Sequence, residues 1–263
     1  MTPVAGLLAA ALLAAAPPQE QVTVGSVHAA LFYTKRTSPP PTQFRNLRLR
    51  ISREGTVVLD QAVPPFSRQS RFVLPAGAGQ KRSVTIRDLD GDGEPEVIVD
   101  LFWSGAHCCF WTRVYRYDAS ASTYVPVNHF WGDLGYKLED LDGDGKPELV
   151  GADDRFAYRF TAFAFSGFPI QIWSYAAGRF TDVTRRFPKQ IAADAAKQWR
   201  YSRQAGRRYH EYRGLLAAWA ADQYLLGHRA KAAQTLAGAA KRGEVNVAYI
   251  HTLERFLRSN GYG

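Results

Sequence analysis

The residues best placed to do chemistry lie in one acidic tract that occurs twice. Asp88-Leu89-Asp90-Gly91-Asp92-Gly93-Glu94-Pro95-Glu96 returns 52 residues later as Asp140-Leu141-Asp142-Gly143-Asp144-Gly145-Lys146-Pro147-Glu148. The copies differ only at the seventh position, Glu94 against Lys146. Carboxylates at positions 1, 3 and 5 of a tight turn converge on one point, and glycine at position 6 permits the bend. A carboxylate at position 9 can close the cage. Hard oxygen ligands in that number suit Ca2+, which accepts ~6–8 oxygens at flexible geometry. Without a cation the same carboxylates repel one another and resist ionising together. Both tracts are therefore read as calcium loops.

The elements that must hold these loops are strands. An EF-hand needs a bidentate Glu at position 12, where this chain has Val99 and Gly151. The flanks Ser83-Val84-Thr85-Ile86 and Val97-Ile98-Val99 are β-branched, and Tyr136-Lys137-Leu138 and Leu149-Val150 are short and strand-like. The strand–DxDxDG–strand arrangement resembles the integrin-like FG-GAP, or VCBS-type, repeats. A hairpin follows each loop at a matching offset: Trp111–Tyr117 with Thr123–Val127, and Pro169–Tyr175 with Arg179–Val183. A degenerate unit without a loop lies at Leu47–Ile51 and Thr56–Leu59. The pattern covers residues 83–187 well and 22–66 poorly. The resemblance implies ligands Asp88, Asp90, Asp92 and Glu96 with the Glu94 carbonyl, and Asp140, Asp142, Asp144 and Glu148 with the Lys146 carbonyl. One departure is Glu in place of the family's usual Asp at position 9. The longer side chain can bind bidentately or through water.

Domain organisation follows from composition. Val4–Ala16 is apolar but shorter than the ~18–20 residues that span a bilayer. Ending in Ala14-Ala15-Ala16, it reads as a signal peptide over residues 1–16, although its start lacks Lys or Arg. Export to a periplasmic or extracellular space fits calcium, which fills weak sites there. Residues 22–187 are expected to be mainly β, as blade-like antiparallel repeats in an incomplete propeller or sandwich-like assembly. A closed propeller needs ~4–8 blades, and at most three are legible. Residues 188–260 change grammar: alanine becomes abundant, apolar residues recur at helical spacing, and Gly227 and Gly243 read as helix stops. Three or four short helices are expected. Charge divides at the same place, with 16 Lys/Arg against 6 Asp/Glu in residues 179–263 of a chain of net charge +9.

Other candidates compete with bland readings. Cys108 and Cys109 are adjacent and are the chain's two cysteines. In an exported protein they form a strained vicinal disulfide, or sit as small residues on opposite faces of a strand. A zinc site with His107 is disfavoured because three consecutive residues do not converge. Trp199–Arg213 interleaves Arg with aromatics. In an exported chain this favours anionic envelope polymers or lipid head groups over nucleic acid, against the bland reading of a solvated helix face. Asp153-Asp154 beside Tyr158, with His107, would be the centre of an exported hydrolase, but adjacent carboxylates diverge. No G-x-S-x-G, HExxH or phosphate-binding Gly loop is present. The expected function is a secreted, calcium-stabilised binding or structural module for a protein or glycan ligand, without catalysis. The alternatives are the hydrolase with structural calcium and a redox-active cysteine pair.

Overall fold

The computed structural model describes residues 17–38, 43–64, 72–73, 82–103 and 109–263. The predicted signal peptide, His107 and Cys108 lie outside them. Three consecutive antiparallel meanders make up the β part. The first is β1 (Glu20–Val24), β2 (Val27–Arg36), β3 (Gln43–Arg53) and β4 (Thr56–Ala62). The second is β6 (Val84–Arg87), β7 (Glu96–Trp103), β8 (Phe110–Asp118) and β9 (Thr123–Gly132). The third is β10 (Lys137–Glu139), β11 (Glu148–Ala152), β12 (Ile170–Ala176) and β13 (Arg179–Asp182). The short β5 (Phe72–Val73) pairs with β3 and β7 and fuses the first two meanders into one nine-stranded sheet. The third stands as a separate four-stranded sheet. No closed barrel or propeller forms among the described strands.

Alternation along the strands decides what each face does. On β3, Leu47, Leu49 and Ile51 point into the first core, while Arg48 and Arg50 reach outward to Asp60. Strand β7 is buried on both faces. Its Val97, Val99 and Leu101 complete that first core, and Ile98 belongs to a second one with Val114, Trp131, Leu149 and Tyr175. The second core draws on both sheets, so β7 is the strand through which the first two meanders meet the third. The nine-stranded sheet also curls until β1 lies beside β6. A side chain joins them where no ladder does: Glu20 accepts from the Ser83 backbone N–H at 2.7 Å and from its hydroxyl at 3.0 Å.

Four helices follow: α1 (Pro188–Tyr209), α2 (Arg213–Leu225), α3 (Arg229–Lys241) and α4 (Val247–Ser259). Helix α1 has 22 residues, longer than the short helices expected, because Pro188 can open it and nothing breaks it before His210 turns left-handed at φ 55°. Gly227 and Gly243 stop α2 and α3 as read, both at positive φ. Their common core gathers Leu216, Trp219, Leu236, Leu253 and Phe256 around Phe156 of the preceding loop. None of these helices is long and apolar enough to cross a membrane.

Asp100 on β7 is a polar group committed to the second core. It is 2% exposed, accepts from the Thr112 hydroxyl at 2.6 Å and faces the Tyr136 hydroxyl at 3.1 Å. Burial pushes its pKa from 3.8 to about 7, against the pull of those two hydroxyls. The folded chain thus keeps a proton that the unfolded chain releases near pH 4. Stability from this group is full below that value and is lost as pH rises to about 7. Asp100→Asn does not titrate. Melts of both proteins should show the variant gaining on the wild type by about 2–4 kcal/mol between pH 4 and pH 8. A pH-independent difference would contradict a protonated Asp100.

Candidate metal centre

Each acidic tract is the connection between two short antiparallel strands, β6 to β7 and β10 to β11. Both loops fold through the same hydrogen bonds. In the first, Asp88 takes the Gly91 N–H on Oδ1 at 2.7 Å and the Gly93 N–H on Oδ2 at 3.0 Å. In the second, Asp140 takes Gly143 at 2.8 Å and Gly145 at 3.0 Å. The fifth-position carboxylates each accept the N–H two residues on, Glu94 to Asp92 and Lys146 to Asp144, both at 2.8 Å. The glycines at positions 4 and 6 have positive φ, 71° and 86° in the first loop and 78° and 86° in the second. A side chain there would be strained. The repeated sequence thus produces a repeated shape, down to which oxygen meets which amide.

The ninth-position glutamates close both loops from beneath. Glu96 Oε2 accepts the Leu89 N–H at 3.0 Å, and Glu148 Oε2 accepts the Leu141 N–H at 2.9 Å. They are 0% and 4% exposed. Carboxylate oxygens of Asp88, Asp90 and Glu96 lie within 4.8 Å of one another, as do those of Asp140, Asp142 and Glu148. Asp92 and Asp144 do not belong to these two groups. The Glu94 side chain turns away from the loop and forms a bidentate pair with Arg53, at 2.6 and 2.7 Å. Lys146 lays its aliphatic chain against Gly91, where a Cβ would come within 2.8 Å of it, so the two loops touch.

Electrostatics in the first loop are unresolved by the protein alone. Glu96 Oε1 and Asp90 Oδ1 are buried and accept no hydrogen bond. Burial pushes the Glu96 carboxyl to about 8, with Asp90 and Asp92 adding to the rise. Glu148 is raised in the same direction, again by burial first and its acidic neighbours next. Oxygens of three carboxylates gathered without a hydrogen-bond donor for each are the arrangement that a hard dication satisfies. Set on a nine-residue turn of oxygen donors, the group fits Ca2+ in ligand type. Asp88, Asp90 and Glu96 would hold one ion, and Asp140, Asp142 and Glu148 a second.

Several groups around the loops are not visible from the motif. The Ala177 N–H, in the β12–β13 turn, donates to Asp90 Oδ2 at 2.9 Å. Arg186 pairs with Asp142 at 3.1 Å, and Arg116 stands 4.0 Å from Asp92. Tyr175 places a buried, unpartnered hydroxyl in the same acidic surroundings. These come from positions up to 87 residues away in the chain.

The other sequence candidates separate from this centre. Asp153 caps the 3₁₀ turn Asp154–Phe156, receives Arg155 at 2.6 Å, and accepts from the buried Tyr262 hydroxyl at 2.7 Å. Asp154 points elsewhere and accepts from the Asp133 N–H at 2.9 Å. The two adjacent carboxylates diverge as read, and each is engaged structurally. Tyr158 is 55% exposed, and its backbone N–H donates to the Ser166 hydroxyl at 3.1 Å. Cys109 carries no free thiol.

The chain matches no protein-family profile. It is 30% identical over 139 residues to an uncharacterized protein, y4bJ, of Sinorhizobium fredii, covering 51% of this chain and 21% of that one. It is 31% identical over 170 residues to a probable thylakoid lumen protein, sll0997, of Synechocystis, covering 57% of this chain and 46% of that one. The chain therefore spans less than half the length of either relative. A solved structure of a Xanthomonas type IV secretion system related protein aligns with 62% of this chain and 92% of its own, at 16% identity and a TM-score of 0.25.

Proposed function

We propose that this chain is an exported binding or structural module whose β meanders are stapled by two calcium ions, and that its ligand is a protein or glycan surface. The observation that carries the metal reading is the pair of loops with matching hydrogen bonds, each closed by a buried glutamate. In the first, Glu96 Oε1 and Asp90 Oδ1 have no partner within the protein. A polar turn selected only for its shape would not need to bury carboxylate oxygens unsatisfied, since each such group costs about 1–3 kcal/mol. Export is supported by the apolar start of the sequence and by the lumenal description of the Synechocystis relative. The three four-stranded meanders support a blade-like arrangement of the FG-GAP/VCBS kind, left open as an incomplete propeller or sandwich-like stack. Rigid strands joined by metal-held loops present a fixed outer surface, which suits recognition.

Calcium binding to the native state alone adds RT ln(1 + [L]/Kd) per site, about 2.7 kcal/mol at a hundredfold excess over Kd. Melting temperature should therefore climb with calcium from its value in EDTA and saturate, with magnesium giving a much smaller rise. Asp90→Asn or Asp142→Asn should each remove roughly half of that climb, and the double variant nearly all of it. In EDTA the same variants should melt at or above the wild type, because one repelling charge has gone. Variants that lose stability equally with and without calcium would mark the tracts as turns and overturn the metal reading.

A further inference from the structure

The candidate metal centre makes no use of the basic, outward face of α1. At about 100° per residue, Lys197, Arg200, Gln204, Arg207 and Arg208 fall on one side of this helix. Ile191, Ala195, Gln198, Ser202 and Ala205 are buried on the other. No Asp or Glu occurs from residue 195 to residue 210. Arg203 is drawn off the face: it stacks on Trp199 and Tyr212 and pairs with Glu244 at 2.8 Å. Arg200, Arg207 and Arg208 are left out of every ion pair among the described residues. The helix dipole favours cations in its last turn, which accounts for Arg207 and Arg208; Lys197 pairs with Asp194 at 3.4 Å, and Arg200 has neither explanation.

Half-exposed tyrosines border these arginines. Tyr201 and Tyr209 are 42% and 52% exposed, and Arg200 and Arg208 lie over their rings at 5.3 and 5.2 Å. The aromatic segment Tyr158–Phe168 runs alongside: Phe165 meets Tyr209 at 5.3 Å, and Tyr158 is 55% exposed. Arg159, Ala162 and Ala164 of this segment are exposed as well. We propose that the outward face of α1 and the adjoining Tyr158–Phe168 segment form a docking surface for an anionic lipid bilayer. The arginines supply charge complementarity to head-group phosphates. The tyrosines supply what a soluble polyanion would not require, apolar rings with polar tips suited to the head-group level.

The test is co-sedimentation of the full chain with vesicles of phosphatidylcholine alone or mixed with phosphatidylglycerol, in EDTA so that calcium cannot bridge lipid to protein. Wild type should pellet with the anionic vesicles only and be released by salt. Arg200→Gln, Arg207→Gln and Arg208→Gln together should lower the partition coefficient on the order of 100-fold. Tyr158→Ser with Tyr209→Ser should lower it further at low salt. All five side chains are exposed, so circular dichroism should show each variant folded. Failure to pellet with anionic vesicles, or equal pelleting of the triple arginine variant, would overturn the proposal. Binding to soluble polyphosphate as tight as to vesicles, and unchanged by the tyrosine substitutions, would reassign the surface to a polyanion.

Discussion

The constraint on which the rest of the molecule turns is the placement of a carboxylate at the buried start of a strand. Glu96 opens β7 and Glu148 opens β11. Each sends one oxygen back to the amide of the loop's second residue. That contact ties the end of the loop to its beginning, so the strand pair cannot slip without breaking it. It also forces a charged group into the core, where neighbouring aspartates make ionisation harder. On the proposed reading a dication would resolve this conflict by converting mutual repulsion among carboxylates into shared attraction. Loop shape, strand register and metal affinity would then be one property.

The position of the first loop gives this local constraint a wider reach. Strand β7 lies between two cores and pairs with β5, β6 and β8. Whatever fixes its first residue fixes the frame against which the third meander packs. Arg53 reaches from β3 to Glu94, and the Ala177 amide reaches from the β12–β13 turn to Asp90. The loop is therefore held by both sheets. The second loop is less enclosed: its Asp142 meets the exposed Arg186, and its lysine lies against Gly91 of the first. The two sites differ in surroundings while sharing a fold, so the better-buried first loop should be the tighter.

Much of this was legible in the sequence because the signals were local. The repeated carboxylate and glycine spacing, the β-branched flanks and the hairpin pattern located loops and strands within a few residues. The glycine stops placed the ends of α2 and α3. What escaped was non-local. Nothing in the tract indicates that Asp92 and Asp144 cap the backbone, or that Glu94 pairs with a residue 41 positions away. The Ala-rich C-terminal pattern gave the helices but not the length of α1. The β1–β2 hairpin and the fusion of two meanders through β5 were also missed, because their residues carry no strong period of their own.

Direct counting of bound calcium tests the central claim most simply. Equilibrium dialysis of the metal-stripped chain against labelled calcium should reach two ions per chain, with magnesium in excess failing to displace them. Glu96→Gln should leave one. A plateau near zero, or a shallow uptake that magnesium competes away, would contradict a pair of built calcium sites.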